Sequence, residues 1–274
     1  MASSGKNISS VLLRMRRGEK PVHIVVAEPV RVDSLDLDAQ GIARLAPNEE
    51  EAAQGQSGKV IFIQGALPTE LVTYIITRDK ARFSKAKVLD IQRPAVFRAE
   101  PKCKAFGVCG GCTMQHLDIR AQVAMKQRVL EDDLKHIAKV TPEEILRPMG
   151  GPAWEYRHRA RLSAVNRSIK KGTVLIGFHE GKSGYVADMT ACEILPKHVS
   201  DLLPAMRQLV NGLSIVDRMP QIEIAVGEPE DPNSDDPKKR KPVTALVFRN
   251  LSPLTPADEK LLRDFAKSLS NFSS

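Results

Sequence analysis

The sequence predicts an α+β protein: a small β-barrel, followed by an α/β domain of mixed helices and strands built around a cysteine site. Three observations predict it. Short β-branched runs punctuated by Gly and Pro fill the chain from His23 to Ile91. Beyond His116, segments with apolar residues at three- and four-residue steps alternate with strand-like runs. Between the two regions lies Cys103-Lys-Ala-Phe-Gly-Val-Cys109-Gly-Gly-Cys112, which holds three of the four cysteines in 274 residues.

Composition bounds the partners. Lys plus Arg number 41 against 33 acids, a net charge of +8 and a pI near 9.3, which favours a polyanion. No apolar run approaches the ~18 residues of a membrane span, so no membrane partner is expected. The basic N-terminus lacks the apolar core and cleavage site of a secretory signal. A cytoplasmic location is expected, where thiols stay reduced and can hold metal.

Residues 1–21, with Arg14, Arg16, Arg17 and Lys20, read as a basic flexible tail that adds phosphate contacts. The runs 23–27, 59–63, 71–77 and 84–91 are rich in β-branched residues, and strands at this spacing suggest a barrel over 22–92. Pro47 to Gly58 reads as an acidic loop. Arg78, Lys80, Arg82, Lys85 and Lys87 form a basic stripe. It is either an RNA contact or an edge strand using lysine against aggregation.

The cysteine run opens a second domain, 93–274. Three thiols within ten residues can face one point only if the backbone wraps, and Gly107, Gly110 and Gly111 permit it through φ > 0. With Cys192, a set of four thiolates suits tetrahedral zinc or a [4Fe–4S] cluster. Structural zinc usually shows two C-x2-C knuckles, so C-x5-C-x2-C with a lone distant cysteine fits the cluster better. A disulfide pair or unpaired core cysteines fit less well, with neither a secretory context nor apolar flanks.

His116 to Lys139 reads as a helix, with His116 itself at the surface or near the thiols. Thr141-Pro-Glu-Glu144 is a capping-box pattern that predicts a short further helix. In Tyr156-Arg157-His-Arg159-Ala-Arg161-Leu-Ser163, alternation puts Arg157, Arg159 and Arg161 on one face of a strand. Three guanidinium groups there repel unless an anion sits between them, and their planar forks suit phosphate and base edges. A hairpin over 172–188 would deliver Cys192. A helix over 196–213, strands at 222–226 and 243–248 around a polar insert, and a final helix capped by Thr255 and Asp258 complete the chain.

The stretch Pro101-Lys-Cys-Lys-Ala-Phe-Gly-Val-Cys-Gly-Gly-Cys-Thr-Met-Gln-His116 resembles the cluster motif of the RNA (uracil-5-)-methyltransferases, most closely their 23S ribosomal RNA members. The pieces around Gly41 and Phe62 to Glu70 resemble a TRAM domain, an OB-like RNA-binding barrel, and Tyr156 to Ser163 resembles that family's central-domain strand. The resemblance implies a [4Fe–4S] cluster on Cys103, Cys109, Cys112 and Cys192. It also implies 23S ribosomal RNA as partner, Arg161 directed at a flipped uridine, and C5 methylation from S-adenosylmethionine. Within this chain no Gly-rich donor-binding turn is visible, and no cysteine remains for attack on uracil C6. The expectation is therefore the RNA-recognition part of such an enzyme, truncated, monomeric and inactive alone. In the family's terms the C-terminal Rossmann-like methyltransferase domain is absent, and S-adenosylmethionine belongs to the full-length parent. The alternatives are a non-catalytic iron–sulfur RNA-binding module or a structural-zinc RNA-binding protein. A radical S-adenosylmethionine enzyme is disfavoured by the lack of C-x3-C-x2-C.

Overall fold

The computed structural model describes residues 28–47, 53, 58–166, 172–181, 183–227 and 243–270. The expected basic tail, the strand at 23–27, most of the acidic loop and the polar insert at 228–242 lie outside the described residues. The molecule is a mixed α/β protein with two compact units, Met1–Glu100 with Thr113–Pro148, and Pro101–Cys112 with Met149–Ser274.

The first unit holds a six-stranded sheet: β1 (Val30–Arg31), β2 (Ser34–Leu35), β3 (Gln40–Arg44), β4 (Val60–Gln64), β5 (Leu71–Asp79) and β6 (Phe83–Arg93). Their order is β1-β5-β6-β4-β3-β2. Alternation sends Ile61, Ile63, Val72, Tyr74 and Ala86 into one core with Val32 and Ala43. Gly41 has no room for a side chain, because a Cβ there would lie 2.8 Å from Val32 Cγ1 and 2.9 Å from the Ala66 carbonyl oxygen. β6 is an inner strand, parallel to β4 and antiparallel to β5. The edge-strand reading of its lysines is therefore wrong, since both its ladders are satisfied.

The polar centre of this unit was not foreseen. Glu70 is fully buried. Its carboxylate accepts from Arg98 Nε at 2.6 Å and Nη2 at 2.8 Å, and from the Leu67 and Ala95 amides at 2.8 and 3.1 Å. Arg98 Nη2 also donates to the Gly65 carbonyl at 2.7 Å. Burial pushes the Glu70 pKa up, but the Arg98 guanidinium and the two amides outweigh it, and the net shift is downward.

Helix α1 (Ile119–Asp133) starts three residues later than His116 because Asp118 caps it, accepting from the Arg120 amide at 2.9 Å. His116 and Leu117 instead turn inward and are buried. His116 is thus no surface group. Its pKa falls to about 4 through burial and then the charge of Arg98, against Glu70, so the ring is neutral at physiological pH. The helix expected from Thr141 does not form. Pro148 and the Gly150-Gly151 pair leave too few residues to repay nucleation.

In the second unit β7 (Arg159–Asn166), β8 (Val174–Gly177), β9 (Gln221–Gly227) and β10 (Val243–Arg249) form an antiparallel sheet ordered β10-β9-β7-β8. One face packs Ala160, Leu162, Ala164, Ile222 and Ile224 onto Leu203, Met206 and Val210. The helix expected over 196–213 is broken into α2 (Lys197–Ser200) and α3 (Leu203–Gly212), since Pro204 cannot donate into a continuous ladder. Before α4 (Pro256–Ser270), the Thr255 amide donates to Asp258 Oδ2 at 2.9 Å and the Asp258 amide to Thr255 Oγ1 at 3.2 Å. Asp258 also accepts from the Ser214 amide and hydroxyl at 2.8 and 2.6 Å, which ties this helix to the end of α3.

Replacing Glu70 by Gln should cost about 1–3 kcal/mol, because it removes the charge partner of the part-buried Arg98 guanidinium, read as a lowered urea midpoint. The depressed Glu70 pKa means that its contribution is present above the ordinary carboxylate range of ~4.3 and is lost as pH falls through the folded value. The Glu70→Gln chain should therefore lose less stability on acidification than wild type.

Candidate functional site

The cysteine loop is shaped by its own glycines and by the hairpin beside it. Only Gly107 takes the left-handed conformation, at φ +83°. Gly110 and Gly111 serve close approach instead. A Cβ on Gly110 would sit 3.0 Å from the His179 carbonyl oxygen, and one on Gly111 would sit 3.2 Å from the Phe178 ring. The Gly110 amide donates to the His179 carbonyl at 2.8 Å, and the Gly181 amide to the Val108 carbonyl at 2.9 Å. The hairpin is β8 followed by a return arm reduced to the His179–Val186 bridge. Past it, Cys192 is buried, and its amide donates to Ser200 Oγ at 2.8 Å.

The structure brings the four thiols into one neighbourhood. Burial pushes the Cys109 thiol up, the Gly111 amide pulls it down, Cys112 and Cys103 raise it, and Arg157 lowers it. Burial likewise raises Cys192, the Ile194 and Leu195 amides lower it, and Cys112 and Cys103 raise it again. The Gly111 amide lies 3.4 Å from Cys109 Sγ. None of the four is disulfide-bonded. Among the described residues no three His, Cys, Asp or Glu side chains close on a single-ion point. Four thiolates so close together would repel one another unless a cation compensated them. Such a soft, all-sulfur donor set fits a thiophilic metal or an iron–sulfur cluster.

The basic residues singled out in the sequence fall in different places. Arg157 does not share a strand face with Arg159 and Arg161, because β7 begins at Arg159. The Arg157 amide donates to the Ile194 carbonyl at 2.8 Å, and its guanidinium lies 5.1 Å from the centre of the Phe178 ring. Lys102 sits 5.3 Å over the Trp154 ring and 2.8 Å from Glu193. Arg159 and Arg161 project from the uncovered face of the four-stranded sheet. Lys85, half-buried, and Lys87, exposed, stand on β6 of the first unit. Sequence reasoning missed His179, whose Nε2 lies 3.0 Å from Ser163 Oγ. It also missed Glu223, which faces Arg161 across the β7–β9 ladder. The burial pattern of Gln221–Gly227 turns Glu223 to the outer face, and the strand register pairs it with Arg161.

Comparison with known proteins fits this arrangement. No family model matches the chain. It is 84% identical over 252 residues to the 23S rRNA (uracil(1939)-C(5))-methyltransferase RlmD of Polynucleobacter necessarius, covering 92% of this chain and 53% of that protein. It is 56% identical over 237 residues to the protein of the same name in Cupriavidus pinatubonensis, covering 86% and 47%. The chain thus spans about half the length of the curated relatives it matches. Among solved structures, the tRNA (uracil-54, C5)-methyltransferase of Pyrococcus abyssi in complex with S-adenosyl-L-homocysteine superposes with a TM-score of 0.52 at 17% identity, over 85% of this chain and 48% of that one. That likeness concerns the fold. The similarity to RNA (uracil-5-)-methyltransferases read from the motifs stands on the first two. Among the described residues no helix is long and apolar enough to cross a membrane.

Gly107→Ala should cost about 1 kcal/mol, the penalty of a left-handed alanine. Gly110→Ala should cost about 1–3 kcal/mol, because backbone must move. Urea unfolding of the two variants checks both values and their order.

Proposed function

We propose that this chain supplies the RNA-recognition and iron–sulfur part of an S-adenosylmethionine-dependent methyltransferase that modifies uracil C5 in 23S ribosomal RNA. The observation that carries the proposal is the arrival of Cys192, eighty positions downstream, among Cys103, Cys109 and Cys112. Together with the motif's resemblance and the all-sulfur donor set it favours a [4Fe–4S] cluster on these four residues. Such a cluster, when bound, supplies four iron–thiolate bonds that cross-link the loop to the segment after the hairpin. The Gly111, Ile194 and Leu195 amides would donate to the bound sulfurs, and Arg157 and Lys102 would offset negative charge. Residues 22–92 would act as a TRAM-type barrel offering Lys85 and Lys87 to phosphate, and 93–274 as the central domain.

On that reading Arg159 and Arg161 hold the RNA strand, with Arg161 donating to the target uridine. All four cysteines are assigned to iron, so none is assigned as nucleophile toward uracil C6. S-adenosylmethionine would be bound by the full-length enzyme, acting as a monomer in the cytoplasm.

Protein purified without oxygen should be brown, with about four irons and four sulfides per chain. Cys192→Ser should lose the cluster as fully as Cys109→Ser. Stoichiometric zinc without acid-labile sulfide would replace the cluster with a structural ion. Arg161→Ala should weaken binding to a uridine-containing loop more than to duplex RNA of equal length, and equal losses would reduce Arg161 to a phosphate contact.

A further inference from the structure

The uncovered face of the four-stranded sheet carries a carboxylate where an RNA-binding surface should avoid one. Glu223 sits at the centre of β9, 29% exposed. Arg249 Nε donates to its Oε1 at 3.0 Å and Nη2 to its Oε2 at 3.3 Å. Gln221 Nε2 donates to the same Oε1 at 3.0 Å. On the other side Arg161 is its direct register partner. One carboxylate therefore stands between two arginines from the two flanking strands. Its own acidity is raised by Arg249 first, with Arg161 contributing through charge alone. Ser163, paired with Gln221, and His179 continue this row toward the cysteine loop.

We propose that Glu223 is a positioning and specificity residue. It holds Arg161 and Arg249 on the sheet face and neutralises one of their two charges, so that the pair does not grip any phosphate backbone. The proposal rests on the RNA-recognition reading above and adds a further contact, Arg249. Its physical basis is that phosphate attraction is blind to sequence, whereas hydrogen bonds to base edges are not. A bare pair of adjacent arginines would bind duplex and single strand alike. With Glu223 tied two-point to Arg249, its carboxylate holds the neighbouring Arg161 by charge alone and leaves the guanidinium's donors available. A donor so placed suits the carbonyl oxygens of a splayed-out pyrimidine.

The prediction has a sign that a structural role would not produce. In Glu223→Gln the shared charge is gone and both arginines are released to phosphate. Binding should tighten several-fold to duplex RNA, while preference for a uridine-containing single-stranded loop falls. The slope of log affinity against log salt should steepen by about 0.7–1.4, the release of one to two more counterions. Arg249→Gln, at a side chain 60% exposed, should do the reverse: Glu223 then quenches Arg161, and the slope becomes shallower by about 0.7 or more. The experiment is fluorescence anisotropy of the full chain with a uridine-loop RNA and a duplex RNA of equal length, across a salt titration. Thermal melting reports folding alongside. Unchanged slopes and an unchanged loop-to-duplex ratio in folded Glu223→Gln and Arg249→Gln overturn the proposal. A wild-type chain whose RNA affinity does not depend on salt overturns the recognition reading beneath it instead.

Discussion

The cysteine loop depends on its backbone pairing with the neighbouring hairpin, in which the Gly110 amide donates to the His179 carbonyl and the Gly181 amide to the Val108 carbonyl. Through it the cysteine loop, which has little apolar content of its own, borrows order from a sheet. His179 continues the hairpin that begins as β8, β8 pairs with β7, and β7 anchors the core through Leu162. The same residue turns its imidazole to Ser163 on the outer face. One short relay of main chain therefore links the thiol loop to the outer face that carries Ser163. This explains why Gly110 and Gly111 are glycines although neither has positive φ: the loop must lie within hydrogen-bond reach of its neighbour, and a methyl group would hold it off.

Much of this was legible because it is local. Period-two runs gave β4, β5, β6, β9 and β10, and the Thr255–Asp258 capping box was found where its pattern stood. The cysteine spacing singled out the loop whose thiols the structure places near Cys192. What escaped was non-local. That Lys85 and Lys87 lie on an inner strand follows from the parallel pairing of β4 with β6, and no pattern in either segment encodes it. Glu70 and Arg98 are far apart in sequence, and each alone reads as an ordinary surface charge. Arg157 was assigned by alternation, yet the strand starts after it, and an aromatic ring claims its guanidinium. Failures at Thr141 and Pro204 share another cause. Helix signals are additive in sequence, whereas helices are cooperative, and one proline or a glycine pair vetoes the sum.

The two carboxylates at the hearts of the two sheets make an instructive contrast. Glu70 has no exposed surface and its four donors leave it nothing further to bind, so its value is confined to the fold. Glu223 has a comparable arginine partner but lies at the surface, 29% exposed, and pairs with an exposed side chain, where an ion pair adds little stability. An arrangement that contributes so little to folding is free to be used for recognition.

The order in which the two units draw on the chain has a consequence for biosynthesis. Residues 101–112 belong to the second unit, yet they leave the ribosome before Thr113–Pro148, which complete the first. The loop's hairpin partner and Cys192 follow only after those residues. During translation Cys103, Cys109 and Cys112 therefore wait as an unpartnered trio while the neighbouring unit can already close around them in sequence. The interval between the third and fourth thiols is a window in which a nascent chain presents three thiols whose folded neighbours are not yet made. The loop can take its folded place only once His179, Gly181 and Cys192 have emerged.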